Sequence, residues 1–321
     1  MLATFAAVIT LRRFVAPLFA FTILLACASE TFAAASFIIV DAKSGYVVRD
    51  GNSRAKRQVG SLTKIATAMV VLDWAEHQHG DLGQMATVPP EAVAGGENLA
   101  GLQPGDQISL RDALAAALVQ SDNVAAYTLA DHVGRAIQGI VPAGPNGTPV
   151  GTFVSQMNAL AKTLKMSRTQ FTNPSGLDDV KPVPYSTAED LARLTRYALN
   201  KAAFRFYVSQ KERQISWKRG ESTKEYMLRN TNELLGQNGI DGVKTGRTAR
   251  AGDCLILSAS REAEVVKTGE NSARITPRNL IVVVLGSTNR FAEGQQLLAM
   301  GWQLYDQWSA AGRLTDPKKL L

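Results

Sequence analysis

Ser61-Leu62-Thr63-Lys64 put a hydroxyl and an amine three positions apart at the head of a long apolar stretch. On a helix, that spacing brings both to one face. A helix start carries unpaired N–H groups and the positive end of the macrodipole, which favour negative charge developing on an attacking oxygen. Lys64 is followed by Ile65, Ala66, Ala68 and Met69, and desolvation among such neighbours disfavours the charged amine. A neutral amine beside a hydroxyl is a general base beside a nucleophile. The plain alternative is a lysine that snorkels out of a core helix to water.

Two further clusters can complete such a site. Ser121-Asp122-Asn123 interrupts two Ala-rich segments, so its side chains can project into a cleft. Ser121 can relay a proton between Lys64 and a leaving amine, and Asn123 can hydrogen-bond a substrate amide; taken alone, the cluster is an ordinary turn with a helix cap. Lys244-Thr245-Gly246 on an edge strand would present a fixed positive charge, a hydroxyl and a place of close backbone approach. An extended peptide can add to that edge as a further strand. The N–H groups of Ser61 and Arg247 can then form an oxyanion hole for a tetrahedral intermediate.

Val-Lys-Thr-Gly occurs twice, at 243–246 and 266–269. The second copy lies in the polar stretch "REAEVVKTGENSARITPRN", which reads as a long hairpin loop with Gly269 supplying a turn. The first copy follows the turn "NGIDG" and leads toward a strand, so the chemical reading falls on Lys244.

The elements that must position these groups follow from periodicity and breakers. "SFIIVDAKSGYVVRDGN" is a hairpin around "AKSG". "VGSLTKIATAMVVLDWAEHQHG" is a buried helix opened by Gly60-Ser61 and closed by Gly80. "ISLRDALAAALVQSDNVAAYTLADHVG" is a helix pair broken at "QSDN", and "GTFVSQMNALAKTLKM" is another helix. "FTNPSGLDDVKPVPYS" is a loop. Thr187 caps the helix "TAEDLARLTRYALN", with Asp190 three residues on. Strands are expected from about residue 225, then a last helix from Arg290. The N-terminal hairpin and the C-terminal strands then close into one mostly antiparallel sheet with helices on its faces, an α/β (α+β) fold with a helical subdomain.

The bulk numbers agree with an ordinary globular chain: 321 residues, 45% apolar and 20% charged. Arg12 and Arg13, the run "FVAPLFAFTILLACA" and the small residues of "TFAAAS" follow the order of a secretory leader, expected over 1–35. The run is too short for a comfortable membrane span, which needs about 20 apolar residues. "LLAC" offers a second leader reading, a bacterial lipobox with Cys27 as the acylated residue. Removing the leader leaves Cys254 alone, so no internal disulfide is available; its setting, "DCLILSAS", is that of a buried small hydrophobe. The net charge of +7 favours anionic surfaces such as wall polymer or phospholipid headgroups. No Lys/Arg cluster is dense enough to argue for nucleic acid, and three histidines with no Cys or carboxylate set beside them give no metal site. No phosphate-binding glycine loop is present, so no cofactor is expected.

The three clusters in this order form a trio known from penicillin-binding proteins and class A β-lactamases. With "LQPGDQISLRDALAAALVQSDN", "QFTNPSGLDD", "YSTAEDLARL" and "GIDGVKTGRTARAG", the chain resembles the exported D-alanyl-D-alanine carboxypeptidases of serine peptidase family S11 from about Phe37 to about Trp302. The resemblance implies a β-lactamase/transpeptidase-like fold over 36–303. It implies acylation of Ser61 by the penultimate D-Ala of a peptidoglycan stem peptide and release by water, with β-lactams as covalent inhibitors in a bacterial periplasm or envelope. It also implies that Arg229 and Arg290 help bind the terminal carboxylate. Departures are Arg247 where His or Tyr is frequent, Asp122 where Gly is usual, and a short tail at 304–321 in place of a second β domain and amphipathic anchor. A DD-endopeptidase would use the same residues. A class A β-lactamase would need a Glu-x-x-Leu-Asn loop that is missing here. A silent wall-binding protein would be expected to lose a member of the trio.

Overall fold

Phe37 to Val40 form an unbroken apolar run because the strand they build is covered on both faces. The computed structural model describes residues 33–77, 80–142, 144, 147–270 and 272–321; most of the expected leader, Cys27 included, lies outside them. Strand β1 (Ser36–Asp41) is buried throughout and turns into β2 (Val47–Gly51) through a loop in which Asp41 accepts hydrogen bonds from the backbone and side chain of Ser44. On its other side β1 pairs antiparallel with β9 (Ser272–Ser287), which pairs with β8 (Gly252–Gly269), which pairs with β7 (Ile240–Thr248). The order β2-β1-β9-β8-β7 joins the two ends of the chain in one antiparallel sheet and leaves β7 at its edge.

One face of this sheet packs Ile39, Leu255, Leu257, Val282 and Val284 against Leu297, Leu298, Trp302 and Tyr305 of α8 (Arg290–Ala310). The other face belongs to a larger core built on α1 (Lys64–His77), α3 (Leu110–Val119), α4 (Asn123–Ile137), α5 (Pro149–Thr163) and α6 (Ala188–Leu199). The caps are those the residue types favour: Thr187 accepts from the N–H of Asp190, and Ser109 from that of Asp112. Short helices α2 (Pro90–Val93) and α7 (Ala202–Val208) complete the helical part.

Four expectations change. The middle of the chain is not all helical: β3 (Met85–Thr87), β4 (Gln107–Ser109), β5 (Glu212–Arg219) and β6 (Ser222–Arg229) make a second antiparallel sheet in that order. The polar segment after Arg261 is no loop, because β8 and β9 continue through it as a two-stranded ribbon paired to Gly269↔Ser272. Gly269 does not adopt the left-handed conformation, so it supplies no special turn geometry; Asn271 lies outside the described residues. Finally, residue 303 is inside α8 and not at a domain edge. Tyr305 is buried, Trp308 stacks on Tyr46 at 4.4 Å, and Leu320 bridges to Tyr46.

Candidate active site

Gly60–Thr63 form a 3-10 turn that feeds α1, so the helix proper begins at Lys64 and Ser61 sits in the tighter turn before it. Glycine is required at this turn. Gly60 has a left-handed φ of +54°, and Gly176, also left-handed, comes so close that a Cβ there would lie 1.9 Å from the Gly60 carbonyl oxygen. The edge strand arrives from the other side. A Cβ on Gly246 would stand 2.6 Å from the Val59 carbonyl and 3.2 Å from the Ser61 nitrogen. The space left by Gly246 is therefore filled by the turn that carries Ser61, where the sequence reading assigned it to substrate. This contact places the backbone of Arg247 against Gly60.

Lys64 is fully buried, and its Nζ reaches Ser61 Oγ at 2.8 Å, Asn123 Oδ1 at 2.6 Å and the Ser175 carbonyl at 3.0 Å. Burial lowers its pKa from 10.5 to about 7, against the smaller opposing pull of Asp122 and Glu97. A neutral amine has two N–H donors and one lone pair. The carbonyl oxygens of Asn123 and Ser175 take the two donors, which leaves the lone pair for the proton of Ser61. The arrangement suits general-base activation of a hydroxyl.

Asn123 opens α4, and its side-chain oxygen accepts from Lys64, so it holds the amine in place; its Nδ2 lies beside Gly96. Asp122 caps the same helix by accepting from the Ala125 N–H at 2.9 Å, and also accepts from Ala100 at 3.1 Å. A glycine there could make neither bond. Ser121 is held at φ +71° with 7% of its surface exposed, an uncommon backbone state for a side chain of this type. Lys64 makes no hydrogen bond to it, so the relay assigned to Ser121 has no direct contact with the amine.

Lys244 is 1% exposed and donates to the Thr245 carbonyl at 3.1 Å. Burial pushes its pKa well below 10.5, and Lys64 and Arg290 push the same way. The fixed charge expected of Lys244 is thus opposed by burial and by two neighbouring cations. The Arg290 guanidinium lies beside it, donating to the Gly246 carbonyl at 3.2 Å and pairing with Asp253 at 3.5 Å. Thr245 shares a hydroxyl–hydroxyl bond of 2.6 Å with Thr231.

This geometry has relatives. Residues 25–268 match the model of the D-alanyl-D-alanine carboxypeptidase family, peptidase family S11. The chain belongs to that family. It is similar to the D-alanyl-D-alanine carboxypeptidase DacC of Escherichia coli, 31% identical over 85% of this chain and 62% of that protein. A D-alanyl-D-alanine endopeptidase of Pseudomonas aeruginosa is 29% identical over 89% of this chain and 80% of its own length. The chain thus spans about three-fifths of the length of the first carboxypeptidase relatives. Among solved structures, the Streptomyces K15 DD-transpeptidase matches with a TM-score of 0.70 at 26% identity, covering 85% of this chain and 98% of that one. Penicillin-Binding Protein D2 from Listeria monocytogenes, in its ampicillin-bound form, matches with 0.66 at 26% identity over 85% and 98%.

In this family member the expected residues do not all converge. Ser61, Lys64, Asn123, Gly246, Arg247 and Arg290 are linked by the contacts above, and Lys244 lies near enough to Lys64 and Arg290 to feel their charge. Arg229 is not among them. Its side chain is 80% exposed and faces Glu212 at 3.4 Å, its cross-strand partner in the second sheet; only its backbone N–H reaches toward the site, to Gln120. The side chain of Arg247 is likewise turned outward, toward Asp253 at 3.4 Å. Sequence reasoning missed Ser175, whose carbonyl binds the lysine, and Thr231. The signal for Ser175 was "NPSG". Asn173 there accepts from the backbone of Ser175 and Gly176, which folds the loop so that the Ser175 carbonyl points inward. Asp178 from the same loop accepts from Thr248 and pins the end of β7.

Proposed function

We propose that this chain is an exported serine-type D-Ala-D-Ala carboxypeptidase of the bacterial envelope that removes the terminal D-Ala from peptidoglycan stem peptides. The observation that carries this reading is the buried Lys64 amine with Ser61 Oγ at 2.8 Å and two fixed acceptors on its other side. Lys64 takes the Ser61 proton as Oγ attacks the carbonyl of the penultimate D-Ala. The N–H groups of Ser61 and Arg247 receive the oxyanion. The proton passes to the leaving amine of the terminal D-Ala, by way of the Ser121 hydroxyl. Water then attacks the ester, with Lys64 again the base. Arg290 and Lys244 meet the terminal carboxylate; its arrival favours the charged form of Lys244, which burial otherwise opposes. β-Lactams acylate the same hydroxyl.

A second reading, cleavage of D-Ala cross-links, is favoured by the likeness to the Pseudomonas aeruginosa endopeptidase. The two are separated by product. Digestion of purified muropeptides followed by mass analysis is expected to shorten pentapeptide stems by one alanine while cross-linked dimers persist. Dimers that fall to monomers with pentapeptides untouched would establish the second reading, and no product from either substrate would remove both.

A further inference from the structure

Glu293 lies in the first turn of α8 with 7% of its surface exposed. Its carboxylate accepts from the backbone N–H of Ala34 at 2.8 Å and from the Ser287 hydroxyl. Among the described residues no Lys, Arg or His pairs with it. Arg290, the nearest arginine on its own helix, is turned to Gly246 and Asp253. A buried carboxylate held by one peptide N–H and one hydroxyl has the partial positive end of α8 beside it but no full counter-charge. Of its two hydrogen-bond donors, only the nitrogen of Ala34 can become a cation.

We propose that the mature protein begins at Ala34 and that Glu293 is the receptor for its new α-ammonium. Hydrolysis of the Ala33–Ala34 bond by an envelope leader peptidase consumes one water. It leaves a carboxylate on Ala33 and turns the Ala34 amide nitrogen into an ammonium already within hydrogen-bond distance of Glu293. The bond has the form such peptidases read, with Thr31 and Ala33 as small residues on either side of Phe32. The cut after Ala35 expected from sequence fits less well. It would strip Glu293 of its backbone donor and remove the bonds of Ala35 to Gly286 and Asn52. The pairing also reaches the site, because Glu293, Ser287 and Asn289 form one bonded corner and Arg290 leaves that corner to hold Gly246. The inference rests on export and is independent of the peptidase chemistry.

The test is the full chain produced in an exporting bacterium and purified from the envelope, read by intact mass and N-terminal sequencing. Ala34 is the expected first residue. A start at Ser36, or an acylated Cys27, overturns the proposal while leaving export intact; a chain still carrying residues 1–33 overturns both. Protein released from a cleavable tag to start at Ala34 is then compared with the same protein carrying a Gly-Ser extension, which keeps an N–H but removes the charge. The extension is expected to lower Tm by about 2–4 °C and to have no effect in Glu293→Gln. An extension without effect in the wild type, or with equal effect in both backgrounds, overturns the pairing. Should Glu293→Gln not fold, the mass result and the wild-type extension decide.

Discussion

The same four residues, Val-Lys-Thr-Gly, stand in β7 and again near the tip of the β8–β9 ribbon, and both copies are strand. They differ in surroundings. In the first copy every residue is buried; in the second every residue is exposed. The first Gly lies against the Ser61 turn, whereas a Cβ on the second would meet only the Ser272 hydroxyl, at 2.8 Å. The first Lys is dehydrated beside Lys64 and Arg290. A motif of this length carries chemistry only through what packs on it, and here that is one tight turn.

The largest effect comes from removing what the first copy faces. Lys64→Ala is expected to slow penicillin acylation by about 10²–10⁴-fold, whereas Lys267→Ala in the second copy leaves the rate unchanged; stopped labelling assays measure both. The glycines come next. Gly246→Ala should cost about 1–3 kcal/mol by overpacking against Val59, while Gly269→Ala stays within about 0.5 kcal/mol, as read from denaturant midpoints. Equal costs would mean that β7 does not press on the Ser61 turn.

Acidity sharpens the contrast further. With Lys64 lowered from 10.5 to about 7, the acylation rate should rise with pH through a midpoint near 7. Stability follows the same shift. Between about pH 7 and 10.5 the unfolded amine is charged while the folded one is neutral, so the unfolded chain binds more protons and stability rises with pH across that window. Below it, the cost of burying the charge is felt in full. Asp122→Asn keeps the helix cap but removes an anion that favours charged Lys64, so the midpoint moves lower; a midpoint that rises would contradict this electrostatic assignment. The smallest effect is expected at Arg229, exposed and paired with Glu212. Arg229→Ala should leave acylation within about twofold, since exposed pairs contribute roughly 0–1 kcal/mol, whereas Arg290→Ala should weaken substrate capture clearly.

Much of this site was legible because its chemistry is local. Ser61 and Lys64 are one turn apart, Asn123 follows a break between helices, and each cluster carries its own turn signals. The closing of the sheet by both chain ends was legible too, from apolar strands such as Phe37–Val40 and Leu280–Leu285. What escaped depends on pairing across long separations. Nothing near Arg229 says that β5 lies beside it and sets Glu212 opposite. In the second sheet β5 alternates Ile215 and Trp217 with the polar Gln214, Ser216 and Lys218, a stretch too short and polar to stand out from surface loop. The ribbon after Arg261 is mostly polar and exposed, with Val265, Val266 and Ile275 left in solvent, because it extends past the core that makes other strands apolar. Gly246 was read as the place where substrate backbone comes close, and the backbone that comes close in the structure is that of Val59–Leu62.

The most direct measurement is intact-mass analysis of the protein after exposure to penicillin, run beside Ser61→Ala. One covalent penicillin adduct is expected on the wild type and none on the variant. An adduct that persists on Ser61→Ala, or a wild type that takes none, would contradict the assignment of Ser61 and Lys64 as nucleophile and base.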